Sequence, residues 1–364
     1  MTVRVGIVGT SLWADSMYLP ALADHPLGSI VAVCGRDPER TRAFAARWNL
    51  PRFYTDYRAL LASGDLDALI VAAPNDQHYP ITMAALDAGL HVLCEKPLAM
   101  NFAQARAMAD RAMTAGLKTM VPFTYRYMPT NRALKQLVDD GYVGSPYHLN
   151  MRYYAEYAAE AKYQWPFDAD VAGAGVVADL GPHYFHLARW FFGEIVGLSC
   201  TLDTLVWRPN APDGHDYTRA DDTAAVTVRF ACGALGSLML SAVAYEGTRF
   251  GQTHHVELHG SDGTLSAVID WEKQQEVRGA RVGEHGGTQP LPIPDAIWAG
   301  ARRDTVHNTY RDVFRRQDTM AREFISAIAE DRPVYPDFAE GARVQQLTDA
   351  AVASAQAGSC WVDV

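Results

Sequence analysis

Val3-Arg4-Val5-Gly6-Ile7-Val8-Gly9-Thr10-Ser11-Leu12-Trp13-Ala14 places a β-branched run, a glycine turn and the start of a helix-like stretch in immediate succession. A strand that ends in glycine and opens a helix is the context in which a dinucleotide fingerprint is believable, because the turn brings backbone N–H groups to a pyrophosphate. Gly9 fills the tight-turn position. Ser11 stands where a second glycine would let the backbone approach the phosphates, and Ala14 where a third would pack helix on strand. The Ser11 hydroxyl can itself bond a phosphate oxygen. Gly9, Thr10, Ser11, Leu12 and Trp13 are therefore candidate cofactor-binding residues.

Working outward, the unit repeats. Ile30 to Cys34 is a second apolar run, followed by Gly35-Arg36-Asp37-Pro38 and a helix with Phe44, Ala45 and Trp48 at helical spacing. Asp67 to Ala73 is a third strand. It runs into Pro74-Asn75-Asp76-Gln77-His78 and a helix from Tyr79 to Ala88 that Gly89 closes. Then comes His91-Val92-Leu93-Cys94-Glu95-Lys96-Pro97, a helix over Gln104 to Ala115 and a strand over Lys118 to Val121. Strands alternating with helices of about 10–15 residues mean parallel βαβ units. The expectation is a doubly wound Rossmann domain over residues 1–122.

In such sheets ligands bind outside the carboxyl ends of the strands, which makes Lys96 the first catalytic candidate. The end of the second strand bears on the cofactor: an acidic residue there holds the ribose of NAD, an Arg the 2′-phosphate of NADP. With Arg36 after Gly35 the reading tilts to NADP, while Asp37 keeps NAD open.

The chain has 364 residues, more than one ordinary core fills, so two domains are expected. Hydrophobic residues make up 49% and charged ones 20%, as in a folded soluble protein. A net charge of −10 argues against nucleic acid and acidic membrane surfaces. Apolar runs such as Leu69 to Ala73 fall far short of the roughly 20 residues that span a bilayer. The N-terminus enters a strand pattern without a signal peptide. Cys34, Cys94, Cys200, Cys232 and Cys360 have no metal-ligand spacing and suit reduced thiols. The expectation is a cytoplasmic protein with neither structural metal nor disulfide.

Several motifs together resemble the glucose–fructose oxidoreductase, inositol dehydrogenase and rhizopine-catabolism (Gfo/Idh/MocA) family of NAD(P)-dependent oxidoreductases. They are Gly6-Ile7-Val8-Gly9, Leu19-Pro20-Ala21-Leu22, Ala73-Pro74-Asn75 with His78, and Ala88 through Lys96-Pro97. Arg126 with Pro129, and Gly175 through Asp179-Leu180-Gly181-Pro182-His183, complete the set in the family order. The resemblance implies that Ala73, Pro74, Asn75, His78, Glu95, Lys96 and Arg126 help to bind the cofactor. It also implies a second α+β domain, here residues 123–364, built on a large open, mostly antiparallel sheet that carries the substrate side and an oligomer interface. Ser11 and Tyr18 depart from the family's usual glycine and histidine, which bears on cofactor affinity rather than on hydride transfer.

Asp179 and His183 lie four residues apart, on one face once a helix has begun. His183 is the candidate general base, since an imidazole titrates near neutral pH. Lys96 would stabilise the developing alkoxide or relay the proton itself, and Asp179 would orient the substrate or His183. Which of His183 and Lys96 takes the proton stays open. Tyr154 in the aromatic strand from Tyr147 to Tyr157, and Lys162 and Trp165 in the loop from Ala158 to Ala174, are substrate candidates, although tyrosines in strands more often serve packing.

Beyond Gly193 short strands dominate, with Gly260-Ser261-Asp262-Gly263 as a hairpin turn and helices at Asp318 to Ala329 and Gly341 to Ala357. Trp207 to Ala220 and Glu284 to Arg303 read as irregular specificity or subunit-contact loops. The expected function is hydride transfer between a nicotinamide cofactor and a secondary alcohol or ketone of a sugar, inositol or related molecule, in a homodimer or homotetramer assembled through the C-terminal sheet. The alternatives are a dinucleotide-binding regulator without turnover, an NAD-dependent glycosidase or dione reductase of the same family, and a purely structural assembly factor.

Overall fold

Val3–Val8 forms β1 at the centre of a six-stranded parallel sheet, with β2 (Gly28–Cys34), β3 (Arg52–Tyr54), β4 (Ala68–Val71), β5 (His91–Cys94) and β6 (Thr119–Met120) in the order β3-β2-β1-β4-β5-β6. The order reverses beside β1, which is the doubly wound Rossmann topology. All four residues of β4 are buried, as a strand covered by helices on both faces requires. The helix Pro38–Arg47 starts where Asp37 accepts a hydrogen bond from the Arg40 N–H (2.9 Å) and Pro38 takes the first turn. The helix after β4 runs Asn75–Asp87, one turn longer at its start than the pattern from Tyr79 suggests, because Pro74 leads straight into it. Gly116, left-handed at φ 64°, closes the helix Phe102–Ala115.

The structure, a computed structural model, describes residues 2–364. It divides into two units: Met1–Phe123 with Arg311–Gln345, and Thr124–Tyr310 with Gln346–Val364. Residues 311–345 thus group with the Rossmann sheet, whereas the sequence pattern runs a second domain unbroken from 123 to 364. The reason is packing. Phe314, fully buried, meets Trp13 and Tyr18 edge-on at 5.7 and 5.6 Å, and Arg322 donates to the Ala21 carbonyl (2.6 Å). Burying one such aromatic ring stabilises by about 1.5–3 kcal/mol. Phe314 belongs to a helix, Val306–Arg316, that the sequence reading lacks.

In the second unit β7 (Pro146–Ala155), β8 (Ile195–Asp203), β9 (Thr223–Phe230), β10 (Leu235–Ser241), β11 (Gln252–Gly260), β12 (Gly263–Asp270), β13 (Glu276–Arg281), β14 (Gln289–Leu291) and β15 (Val362–Asp363) build one nine-stranded sheet. Its order is β14-β13-β12-β11-β7-β10-β9-β8-β15. Every pairing is antiparallel except β10 on β7. Strict alternation of buried and open residues along β9 shows that one face is covered. The helix Gly181–Phe192 supplies part of the cover, with Phe192 edge-on to Phe230 at 5.6 Å. The stretch from 284 to 303 is less irregular than its composition suggests: it holds β14 and the short helix Asp295–Trp298.

A buried ion pair pins the connection before β9. Arg208 lies 3.1 Å from Asp222 with both side chains fully buried, donates to the Ala158 carbonyl (3.0 Å) and stacks on Phe167 at 4.1 Å. Asp222 also receives the backbone N–H groups of Leu205 and Val206, both at 3.0 Å. Removing the cation from such a pair strands a buried carboxylate, which typically costs about 3–5 kcal/mol. Urea unfolding of Arg208→Met is expected to show a loss of that size, and a change below about 1 kcal/mol would mean that the backbone donors alone satisfy Asp222.

Candidate active site

In the first unit the glycine turn is forced by its neighbours. Gly9 has φ 127°, and a Cβ there would lie 2.2 Å from the Ala72 carbonyl oxygen at the end of β4. The turn can therefore sit flush against the strand ends only with glycine. Beside it Thr10, Ser11, Leu12, Asp15, Arg40, Ala43, Phe44 and Arg47 line a cleft of about 500 Å³. The Arg40 guanidinium donates to the Thr10 carbonyl (2.8 Å), and Arg47 pairs with Asp15 at 2.7 Å. Arg40 is not among the sequence candidates. Its place one turn into a helix that Asp37 caps is the signal that would have found it. Arg36 itself is exposed at the end of β2.

At the end of β5, Glu95 accepts from the Trp13 indole (2.8 Å), from the Tyr18 hydroxyl and from the Lys96 backbone N–H (3.2 Å). Burial pushes its carboxyl above the usual range, and these donors pull it back. The residue at the histidine position, Tyr18, thus has a definite task. Lys96 precedes a cis peptide to Pro97. His78, buried, reaches the Pro97 carbonyl from Nδ1 (2.8 Å) and the Ala73 carbonyl from Nε2 (3.0 Å), so it ties the turn at Ala73-Pro74-Asn75 to the segment after Lys96. Burial lowers its pKa.

In the second unit Asp179 ends the short helix Val176–Asp179, and His183 sits in the first turn of Gly181–Phe192. Leu180 between them keeps right-handed helical angles, so the two side chains share a face as the four-residue spacing implies. The segment is held by Asp221, whose carboxylate accepts from the N–H groups of Gly175 and Val177, both at 2.9 Å. A Cβ on Gly175 would lie 1.8 Å from the Asp221 carbonyl oxygen, so this position is closed to any other residue.

Tyr157 donates to Asp179 (2.7 Å), and the Tyr125 ring lies 4.5 Å from the His183 imidazole. Arg126 sits over Trp190 at 4.5 Å and bonds His186 Nε2 (3.1 Å). Tyr153 meets Tyr125 through a hydroxyl contact of 2.8 Å. Tyr154, the sequence candidate, is on the opposite face of β7 by simple alternation, beneath the Arg152 guanidinium at 4.6 Å. Lys162 is exposed and paired with Glu160 at 2.6 Å, and Trp165 is 46% exposed in a short 3₁₀ turn. The structure therefore links Tyr125, Tyr153 and Tyr157 to the Asp179–His183 pair, and gives Tyr154, Lys162 and Trp165 other local surroundings. Gln252 and His254 on β11 join the same cluster, Gln252 Nε2 lying 2.5 Å from the Tyr153 hydroxyl and 2.9 Å from His254 Nε2.

Two family models match the chain: an oxidoreductase family with an NAD-binding Rossmann fold over residues 3–123, and a Gfo/Idh/MocA C-terminal domain over residues 131–266. Levoglucosan dehydrogenase of Pseudarthrobacter phenanthrenivorans is 29% identical, covering 95% of this chain and 90% of its own. Inositol 2-dehydrogenase of Rhizobium meliloti is 26% identical, covering 97% of both chains. The solved structure of a levoglucosan dehydrogenase in complex with NADH superimposes with a TM-score of 0.88 at 27% identity, over 100% of this chain and 99% of that one.

Burial pushes the His254 pKa down to about 3, so the folded protein keeps this ring neutral while the unfolded chain protonates it near 6.5. The folded state binds fewer protons, so this contribution to stability is complete above pH 6.5 and drains away as the pH falls from 6.5 towards 3. Urea unfolding at pH 7 and pH 4.5 is expected to show a loss of about 2–3 kcal/mol from this group, and His254→Asn should lack that share.

Proposed function

We propose, from the premise that this chain belongs to the Gfo/Idh/MocA family of NAD-binding oxidoreductases, that it is a dehydrogenase of the secondary alcohol groups of cyclic, uncharged polyols such as anhydrosugars and inositols. The observation that carries this reading is the Asp179–His183 pair on one helical face, set among neutral hydrogen-bonding aromatics. A polyol offers hydroxyl groups to such partners and apolar C–H faces to the rings.

The nicotinamide dinucleotide fits the first unit: the Gly9 cradle leaves no room for a Cβ, and the neighbouring cleft carries Arg40 and Arg47 for its anionic groups. When bound it supplies the hydride chemistry, which leaves the protein to position substrate and handle one proton. His183 takes the hydroxyl proton in the oxidation direction. Asp179, steadied by Tyr157, holds a neighbouring substrate hydroxyl or the imidazole itself. Lys96 donates to the reacting oxygen and stabilises its developing negative charge. Glu95, held by Trp13 and Tyr18, fixes the backbone from which Lys96 projects.

In this reading NADP is preferred. Asp37 is engaged as a helix cap, which leaves Arg36 and Arg40 to meet a 2′-phosphate. Assembly into a homodimer or homotetramer would use the open face of the nine-stranded sheet, where Tyr147 and Val268 are 53% and 50% exposed. The acidic balance and the dispersed cysteines support a cytoplasmic setting.

Fluorescence titration is expected to give NADPH at least tenfold tighter binding than NADH, about 1.4 kcal/mol, with the difference lost in Arg36→Ala. Equal affinities would return the cofactor reading to NAD. Oxidation of levoglucosan and myo-inositol, followed by reduced-cofactor absorbance, should fall by about 100- to 10,000-fold in kcat/KM in both His183→Asn and Lys96→Met. Cofactor binding without turnover of either polyol would move the weight to a dinucleotide-binding regulator.

A further inference from the structure

Behind His183 the second unit holds a chain of hydrogen bonds whose direction is fixed at one end. The Arg152 carbonyl can only accept, so Tyr184 gives it the hydroxyl proton (3.1 Å). His254 Nδ1 lies 3.0 Å from the same hydroxyl and must therefore be the protonated nitrogen. Because the buried ring is neutral, its Nε2 carries the lone pair, and the Gln252 amide N–H donates into it at 2.9 Å. The second Gln252 N–H points to the Tyr153 hydroxyl at 2.5 Å, with the Tyr125 hydroxyl 3.3 Å from the same nitrogen; with its oxygen accepting from Gln252, Tyr153 gives its own proton to Tyr125 at 2.8 Å. This sequence also fixes which way round the Gln252 amide sits.

One proton is left over. Tyr125 accepts from Tyr153, so its own O–H has no acceptor among the hydrogen bonds of the described residues, and burial pushes its pKa up to about 12, which keeps the proton in place. A second surplus donor lies in the same cluster. Among the described residues the Trp271 indole N–H is buried without a partner, and the Trp271 ring is 5.1 Å from Tyr310, itself 6.5 Å from Tyr125. A cluster with surplus donors is completed by a ligand that brings acceptors.

We propose that Gln252 and His254 are positioning residues that make Tyr125 an obligate hydrogen-bond donor, and that Tyr125 binds an ether or hydroxyl oxygen of the substrate away from the reacting carbon. The inference rests on the polyol-dehydrogenase reading for its ligand, but the direction of the chain is a property of the protein alone. Gln252 therefore acts through Tyr153 and Tyr125 rather than by touching substrate, and the site selects against ligands that present only N–H donors at this point.

Two measurements on the whole protein test this. Long-range ¹⁵N–¹H correlation of histidine-labelled protein, with the His254 signals identified by their loss in His254→Gln, is expected to show the neutral Nδ1–H form without titration from pH 5 to 9. An Nε2–H form, or an imidazolium in that range, overturns the proposal. Gln252→Glu, nearly isosteric, replaces the donor with an acceptor and turns the chain around. With levoglucosan varied at saturating cofactor, KM should rise at least tenfold with kcat within threefold, while the NADH dissociation constant stays within twofold. Tyr125→Phe should reproduce the KM rise, and the double variant should add nothing, since both changes remove one donated proton. Unchanged KM in both single variants, a loss confined to kcat, or additive effects overturns it. If the wild-type protein oxidises neither levoglucosan nor myo-inositol, the polyol reading fails, and the tautomer measurement still decides the direction of the chain.

Discussion

A single carboxylate, Asp221, holds the segment that carries Asp179 and His183. The first N–H groups of a helix have no partner within the helix, and a short buried helix such as Val176–Asp179 needs an outside acceptor. Asp221 provides it from the start of the β9 region by accepting from Gly175 and Val177. Burial pushes its carboxyl up, whereas the backbone donors favour the charged form, so the group is maintained by its hydrogen bonds rather than by a counter-ion. Everything downstream, including the shared face of Asp179 and His183, inherits its register from that anchor. The glycine at 175 is the steric counterpart: the anchor is close enough that no side chain fits.

The first unit solves a related problem with a different residue. Glu95, at the end of β5, sits where parallel strands present their carboxyl ends, and it is surrounded by donors from the turn after β1. The bonds from Trp13 and Tyr18 couple the glycine turn to the residue before Lys96, so the turn and the catalytic candidate are parts of one assembly. Phe314 packs on both rings, which explains why the chain returns to this unit after residue 310: the hydrogen-bonded pair needs an apolar backing that the first 123 residues do not supply.

What the sequence made legible follows from how local each signal is. The βαβ alternation, the Gly9 turn and the position of Lys96 rest on spacing within a few residues, and the sheet order of the first unit agrees with them. The return of residues 311–345 depends on contacts between residues 301 positions apart, such as Arg322 with Ala21, and no local pattern carries that information. The site shows the same division. Asp179 and His183 are legible because four residues bring them to one helical face. Tyr153 and Tyr154 are indistinguishable by composition, and only the register of β7 in the sheet decides which of them faces the buried cluster. Gln252 and His254 come from a strand about 100 residues later, and their two-residue spacing becomes informative only once that strand is known to pair with β7.

The two units also divide the electrostatics. The first gathers permanent cations and backbone donors around the glycine turn, as an anionic dinucleotide requires in a protein whose net charge is −10. The second keeps the part of its cluster around His254 uncharged: His254 is held neutral by burial, and Tyr125, Tyr153 and Tyr184 keep their protons because burial raises all three. A neutral cluster costs little to desolvate and distinguishes ligands by the direction of hydrogen bonds rather than by charge. That is the discrimination a polyol demands, since its hydroxyl groups are chemically alike and differ only in where their donors and acceptors point.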